Sequence, residues 1–293
     1  MHRSKLQSPS EWPPAGPTRP DAHREPLRFA FGENWLRFLD RVDESRILEA
    51  QKSLQTMLGR DSLSGTRFLD AGCGSGLFSL AARRLGATVA SFDYDAEAVA
   101  CTQELRRRFQ DGDTDWSIVG GSVLDPAFID TLGQFDVVYS WGVLHHTGAM
   151  WNALAGVMRA VAPSGRLFIA LYNDQGLQSR IWTIVKRTHN RLPGILRPTY
   201  CGVIAAALES AALGAALVRR RPVAHIRSRL NYRSRRGMSW WRDMVDWVGG
   251  YPFEVARPEQ VTAFCRDRGF APETVRTVGR RLGCNEFVFV RAS

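Results

Sequence analysis

The sequence predicts an α/β protein in which a parallel β-sheet carries helices on both faces. Between residues 65 and 172, short apolar strands alternate with helical segments, and strands separated by helices are joined by right-handed crossovers into parallel sheets. The first strand also ends in a glycine-rich turn, which is a common passage from strand to helix in such sheets. The composition, with 44% hydrophobic and 23% charged residues in 293, excludes a fibrous or wholly disordered protein.

Two segments precede the sheet. Residues 1–28 are expected to form a disordered arm, because residues 1–26 hold six of the fourteen prolines and little apolar pattern. Residues 29–64 form an N-terminal helical extension, since apolar residues recur there at helical spacing and predict two helices. No apolar signal segment is present at the start, so the expected location is the cytoplasm.

The elements of the main domain follow from the hydrophobic periodicity. Strands are predicted over 67–71, 88–92, 115–119, 135–140 and 165–172, with helices over 77–85, 95–109 and 150–160. The alternation stops for about 85 residues and then resumes with a helix over 258–268 and strands over 274–278 and 286–291. The domain therefore comprises 65–172 and 258–293, and residues 173–257 are a helical insertion after the fifth strand.

Cysteine usage excludes two kinds of site. The five cysteines are odd in number and scattered, which argues against both a disulfide framework and a structural zinc site. The six histidines include no metalloprotease-type pair. We therefore expect no metal.

The motif that carries chemistry is LDAGCGSG, residues 69–76, at the end of the first strand. Gly72 permits a tight exit from the strand, Gly74 lets the backbone approach a ligand, and Gly76 permits close packing at the start of the helix. The alternative is a purely structural turn. Ligands of such sheets bind outside the carboxyl ends of the strands, where this turn lies.

Two carboxylates follow the next strands. Asp93 ends the second strand, 23 residues after Asp70, a spacing that suits a ribose. Asp125 follows the third strand, where it can reach an adenine edge. Each has a structural alternative: Asp93 as an acid at a helix start, and Asp125 as a turn acid before Pro126. Asp95 is the better candidate for the helix cap.

The pattern Asp-x-Gly-x-Gly-x-Gly resembles that of class I S-adenosylmethionine-dependent methyltransferases, whereas the dehydrogenase spacing Gly-x-Gly-x-x-Gly does not fit. The VLHHT run, residues 143–147, resembles the small-molecule branch, which includes ubiquinone-type methylases. The resemblance covers about half of the chain and implies a Rossmann-like, doubly wound, mostly parallel sheet of seven strands with a reversed final strand. The Asn-Pro-Pro-Tyr signature of DNA amino-methylases is absent.

The resemblance also implies which residues bind the cofactor, S-adenosylmethionine. They share the carboxyl edge of the sheet: Asp70, with the turn at Gly72, Gly74 and Gly76, for the methionine moiety; Asp93 for the ribose; Leu124 and Asp125 for the adenine; and Ser140 and Trp141 beside the sulfonium.

Catalysis and substrate contact are less specified. His145 and His146 are the histidines near the predicted edge, and one of them can take a proton from the acceptor; the alternative is a structural role at a turn, and His145 is slightly preferred. The candidate substrate residues are aromatic or polar and lie at the extension, the fifth strand and the insertion: Asn34, Trp35, Tyr172, Trp240 and Trp241.

The positive charge is concentrated in the insertion. Residues 176–236 contain thirteen Lys and Arg against one acid, a net +12, whereas the whole chain carries +10. The same segment includes an apolar stretch over 201–218. Three interpretations stay open: a lid that covers the carboxyl edge with a solvated basic face, peripheral contact with an anionic membrane, and contact with an RNA backbone.

The sequence thus predicts methyl transfer to a small molecule, at an oxygen of an aromatic, polyketide or isoprenoid-like acceptor. The alternatives are an RNA (tRNA) methyltransferase that uses the basic insertion, and a non-catalytic cofactor-binding protein. Nucleic acid is the less favoured partner. The sequence predicts no oligomeric state.

Overall fold

The computed structural model describes residues 29, 39, 42–110, 112–220, 223, 227 and 240–293. The predicted arm, most of the first predicted helix of the extension, and the substrate candidates Asn34 and Trp35 lie outside these residues. The chain forms two compact units. The first contains Ala30–Gln175 and Glu254–Ser293, and the second contains Gly176–Phe253 together with Phe29.

The first unit begins with helix α1 (Glu44–Leu58), the second of the two predicted helices of the extension. The Asp43 carboxylate accepts a hydrogen bond from the Arg46 backbone N–H and caps its start. The helix ends at Gly59, which adopts a left-handed conformation. Its apolar face, with Ile47 and Leu54, is buried in the core on one side of the sheet.

The remaining elements of the first unit alternate as the sequence predicts, except that a short helix over Pro126–Leu132 was not predicted. In chain order they are β1 (Arg67–Ala71), α2 (Leu77–Arg84), β2 (Thr88–Asp93), α3 (Ala96–Phe109), β3 (Trp116–Gly120), α4 (Pro126–Leu132), β4 (Phe135–Trp141), a 3₁₀ turn (Leu144–His146), α5 (Met150–Arg159), β5 (Val161–Tyr172), α9 (Pro258–Arg266), β6 (Phe270–Arg276) and β7 (Cys284–Arg291). The numbers α6 to α8 belong to the second unit.

The seven strands form one sheet in the order β3-β2-β1-β4-β5-β7-β6. Strands β1 to β5 are parallel, and β7 runs antiparallel to both β5 and β6. This arrangement confirms the predicted doubly wound, mostly parallel sheet with a reversed final strand. The strand order reverses between β1 and β4, and ligands of open α/β sheets bind at such a switch point.

The ends of two strands differ from the sequence prediction. Strand β5 starts at Val161, which pairs with Phe135 ahead of an irregularity in the register. Strand β6 starts at Phe270, four residues earlier than predicted, and passes through Pro272. Proline is tolerated there because β6 is an edge strand and its register shifts at that point.

The second unit contains three described helices, α6 (Leu177–Arg191), α7 (Arg197–Val218) and α8 (Trp240–Gly249), with a 3₁₀ turn over Gly194–Leu196. Helices α6 and α8 contact each other.

Between them lies the side chain of Lys186, whose ammonium donates to the Trp247 carbonyl and lies 4.2 Å from the Trp247 ring and 4.8 Å from the Phe253 ring. Burial lowers the pKa of Lys186 to about 7.

Candidate functional site

The glycine-rich turn leaves β1 at the point where the strand order reverses. The backbone N–H groups of Gly72 and Cys73 both donate to the Phe92 carbonyl, at 2.8 and 3.0 Å, so the turn is held against the end of β2. Gly72 has a φ of +86°, and a Cβ built there would lie 2.4 Å from Cγ1 of Val143. Both the backbone conformation and this close approach therefore require glycine.

Asp93 connects the end of β2 to the turn. Its Oδ2 accepts from the Gly74 backbone N–H at 3.0 Å, and its Oδ1 accepts from the Asp95 backbone N–H at 2.9 Å. The neighbouring Asp95 accepts from the Glu97 N–H and caps α3, as the sequence predicts. A carboxylate has about four lone-pair sites, so each Asp93 oxygen can accept a further bond from a hydroxyl.

Asp70 is buried at the end of β1 and begins a chain of hydrogen bonds. Its Oδ2 accepts from the Ser79 hydroxyl at 2.5 Å, Ser79 lies 2.8 Å from the Ser91 hydroxyl, and Trp116 Nε1 donates to Ser91 at 2.8 Å. The Ser79 hydroxyl has one proton, which it gives to Asp70, so Ser91 donates to Ser79. The chain fixes the orientation of the Asp70 carboxylate from three neighbouring elements.

The two carboxylates give the site a preference for cations. The pKa of Asp70 is raised to about 7, mainly by burial; the hydrogen bond from Ser79 opposes this rise and the nearby Asp93 adds to it. A cation that binds beside Asp70 and Asp93 relieves this repulsion and favours the ionised carboxylate. S-adenosylmethionine carries an ammonium and a sulfonium as well as two ribose hydroxyls, so the residues present fit it.

The predicted adenine residues lie on the connection after β3. Asp125 caps α4, because its Oδ1 accepts from the backbone N–H groups of Ala127 and Phe128 at 3.0 and 3.2 Å. Its structural alternative is thus present, and the adenine contact stays a prediction. Leu124 is exposed beside it, as an apolar contact for an adenine ring requires.

The end of β4 carries the two residues predicted beside the sulfonium. The Ser140 side chain is buried and donates to the Ala71 carbonyl at 2.8 Å, which joins β4 to the start of the glycine turn. The Trp141 side chain is exposed, and its Nε1 donates to Glu286 on β7 at 2.8 Å. This hydrogen bond spans β5 and holds the Trp141 side chain at the carboxyl edge of the sheet.

The two histidines differ in their surroundings. His145 is fully buried, and its Nδ1 accepts from the Tyr172 backbone N–H at 3.3 Å, while its carbonyl accepts from the Glu254 N–H at 3.0 Å. His146 is partly exposed, with its ring 4.6 Å from that of His145 and 5.5 Å from that of Tyr172. The Nδ1 of the buried His145 accepts a backbone hydrogen bond and so has a structural role. The geometry therefore favours the partly exposed His146 over His145 as a proton acceptor.

Glu254 is a residue that sequence reasoning missed. Its two carboxylate oxygens accept from the Met150 backbone N–H at 3.0 and 3.2 Å and so cap α5, whose own N-cap, Ala149, has no capping side chain. Burial raises the pKa of Glu254. The two residues are 104 positions apart, so no local signal reveals the cap. Sequence reasoning also missed the hydrogen bonds of Ser79 and Ser91. One signal could have revealed them, because both serines lie on the inner faces of apolar elements.

The remaining substrate candidates belong to different units. Tyr172 ends β5 in the first unit, where burial raises the pKa of its hydroxyl. Trp240 and Trp241 begin α8 in the second unit, with ring centroids 6.5 Å apart. Among the described residues, no three His, Cys, Asp or Glu side chains form a group that could hold a metal ion.

Comparison with known proteins identifies the domain. Residues 69–169 match a family described as a methyltransferase domain. The chain is 31% identical over 114 residues to the ubiquinone biosynthesis O-methyltransferase of Pseudomonas entomophila and 33% identical over 120 residues to that of Xanthomonas oryzae pv. oryzae. These alignments cover 39% and 41% of this chain and 47% and 48% of those proteins, so the chain spans about half the length of these curated relatives.

Solved structures show the same fold. The crystal structure of magnesium protoporphyrin IX methyltransferase (ChlM) from Synechocystis PCC 6803 with bound SAH aligns with a TM-score of 0.50 at 14% identity, covering 90% of this chain and 89% of that one. The domain match, the relatives and the fold confirm the predicted class I S-adenosylmethionine-dependent methyltransferase domain, with S-adenosylmethionine as the cofactor of that domain.

Proposed function

We propose that this protein transfers the methyl group of S-adenosylmethionine to an oxygen of a small molecule, with an aromatic, polyketide or isoprenoid-like acceptor. The observation that carries the proposal is the pair of carboxylates, Asp70 and Asp93, fixed on either side of the glycine turn at the switch point of the sheet. The relatives named ubiquinone biosynthesis O-methyltransferases support an oxygen acceptor of this chemical class.

In this reaction the protein mainly binds and aligns. The bound cofactor supplies an electrophilic methyl group on a sulfonium, so no further activation of the donor is needed. Asp93 would accept the ribose hydroxyls, and Asp70 would face the cationic end of the ligand. These contacts hold the methyl group at the carboxyl edge, where an acceptor oxygen is placed in line with the breaking bond and away from water.

The acceptor oxygen loses its proton as the new bond forms. His146, on the turn after β4, is the side chain proposed to take that proton, while His145 positions the turn through Tyr172 and Glu254. Bound S-adenosylmethionine would supply the methyl group as a sulfonium, and the positive charge of the donor would leave with the proton that His146 takes. An acceptor that is already ionised at neutral pH needs no base, and its rate then depends on alignment alone.

The experiment offers methyl-labelled S-adenosylmethionine and the purified protein to three fractions of a cell extract: small molecules, lipids and RNA. We expect label in the small-molecule or lipid fraction, with catechols as defined probes. Asp93→Ala should lower labelling at least tenfold when the cofactor is below saturation, and Asp95→Ala, which removes the carboxylate that caps α3, is the matched control. Label confined to RNA would replace this proposal with the RNA methyltransferase alternative. Cofactor binding without label in any fraction would favour a non-catalytic protein.

A further inference from the structure

Helix α7 is apolar and exposed along most of its length. Among the described residues, one stretch, Gly194–Val218, is long and apolar enough to cross a membrane by length and composition, and only 11% of its most apolar window is buried. Val203, Leu217 and Val218 are 63%, 57% and 86% exposed. Burial normally removes such a surface from water, because exposed apolar area is unfavourable.

In the part of the chain that the structure describes, the buried residues of α7 lie in its first turns. The Tyr200 hydroxyl donates to the Val185 carbonyl of α6 at 3.3 Å, and Cys201 and Ala205 are the buried residues of the helix. The thirteen residues 206–218, all of them described, include none that is buried. At 1.5 Å per residue they extend about 20 Å. We call residues 206–218 the projecting half of α7.

The projecting half is apolar on every side. Ten of its thirteen residues are Ala, Leu or Val, and Glu209 is its single charge. Leu208, Leu213 and Leu217, which are exposed, are spaced by five and four residues and therefore lie at different angles around the helix. A helix with apolar residues all round suits an apolar solvent better than one flat protein surface.

Positive charge follows the projecting half directly. Arg219 and Arg220 are exposed at its end, and residues 219–239 contain eight arginines and no acid. Arginines beside an apolar helix fit a membrane interface, where the apolar side chains enter the acyl boundary and the guanidinium groups meet lipid phosphates. The charge complementarity therefore points to an anionic bilayer.

The connectivity argues against a helix that crosses the bilayer. Helices α6 and α8, which precede and follow α7 in the chain, contact each other, so the chain returns to the side from which it left. If α7 crossed the bilayer, residues 219–239 would have to cross back with their eight arginines. Arginine at the bilayer centre is strongly unfavourable, which disfavours a spanning α7.

We propose that the projecting half of α7, with Arg219 and Arg220 at its end, is a docking surface for an anionic lipid bilayer. Docking places the second unit at the headgroup level, with Leu213 and Leu217 at the acyl boundary. The inference rests on α6, α7 and α8 and on the arginines that follow α7 in the sequence, so it is independent of the methyl acceptor and of the proposed function.

The test is co-sedimentation of the full chain with vesicles, either phosphatidylcholine alone or phosphatidylcholine mixed with phosphatidylglycerol. We expect binding to the mixed vesicles at low salt, release at high salt, and weak binding to neutral vesicles. The double substitution Leu213→Gln and Leu217→Gln should weaken binding at least tenfold because it removes apolar contact. Arg219→Ser with Arg220→Ser should weaken it about 30-fold at low salt.

The matched control is Leu48→Gln, which changes an exposed leucine of α1 in the first unit and should leave vesicle binding unchanged. Cofactor affinity and the melting curve show that each variant is folded. Binding that survives Leu213→Gln with Leu217→Gln would overturn the proposal, because charge alone would then explain it. Failure of the wild-type chain to bind mixed vesicles would also overturn it, and RNA binding that needs Arg219 and Arg220 would assign the surface to nucleic acid instead.

Discussion

Asp93 allows the sharpest test of the cofactor site. Its two carboxylate oxygens already accept from Gly74 and Asp95, and the proposal adds a ribose hydroxyl to each. A charge-assisted hydrogen bond contributes about 1.5–3 kcal/mol, so the loss of one such bond weakens binding at least tenfold and the loss of both about a hundredfold or more. Asp93→Ala should therefore weaken S-adenosylhomocysteine binding by at least tenfold, measured by titration calorimetry.

The substitution also removes an acceptor from the Gly74 N–H, so the two effects must be separated. A double-mutant cycle does this with the 2′-deoxy analogue of S-adenosylhomocysteine. The wild-type protein should bind the analogue about tenfold more weakly than the parent compound, whereas Asp93→Ala should bind the two equally. Asp95→Ala is the matched control, because it removes the α3 cap and should leave the difference between the ligands unchanged.

Three results would refute the reasoning. If the wild-type protein does not distinguish the two ligands, the ribose hydroxyl has no acceptor of the proposed kind. If Asp93→Ala keeps the distinction, another residue accepts the hydroxyl, and Asp93 serves only to hold the turn. Unchanged affinity in both proteins for both ligands would remove Asp93 from the cofactor site.

Three further variants test other parts of the structure. Gly72→Ala should lower the free energy of unfolding, measured by denaturant titration, by about 2–5 kcal/mol, because of the positive φ at this position and the clash with Val143. The double variant Gly72→Ala with Val143→Ala should recover the part of this loss that the clash causes, but not the part that the positive φ causes. Asp125→Ala should lower the free energy of unfolding by about 1 kcal/mol because it removes the cap of α4, whereas Asp125→Ser should keep the cap. Both variants should weaken S-adenosylhomocysteine binding if the carboxylate contacts adenine. Lys186 should make the unfolding free energy rise with pH from about 7, because the unfolded state binds a proton there that buried Lys186 does not; a pH slope that is the same in Lys186→Met would contradict this assignment.

Local patterns predicted the strands and the glycine turn because their information lies within a few residues. The alternation of strands and helices, and the spacing from Asp70 to Asp93, are sufficient to place both carboxylates at one edge. The early start of β6 was missed because Pro272 usually ends a strand, and only its edge position makes it acceptable.

The sequence alone did not predict contacts between distant parts of the chain. The cap of α5 by Glu254 and the bond from Ser91 to Ser79 depend on how separate elements pack. The two neighbouring histidines, His145 and His146, are alike in the sequence, and only the fold shows that one is buried and the other partly exposed.

The two ends of the segment that leaves after β5 are paired to each other. Asn173 and Ala256 form a parallel bridge, the Ala256 N–H donates to the Tyr172 carbonyl at 3.0 Å, and the Asp174 N–H donates to the Ala256 carbonyl at 3.2 Å. Chain ends that meet in this way let one domain be inserted into another without disturbing the host. The sheet domain is thus a modular scaffold: residues 176–253 can be exchanged for another insert, or for a short glycine–serine linker, with the glycine turn and its carboxylates left in place.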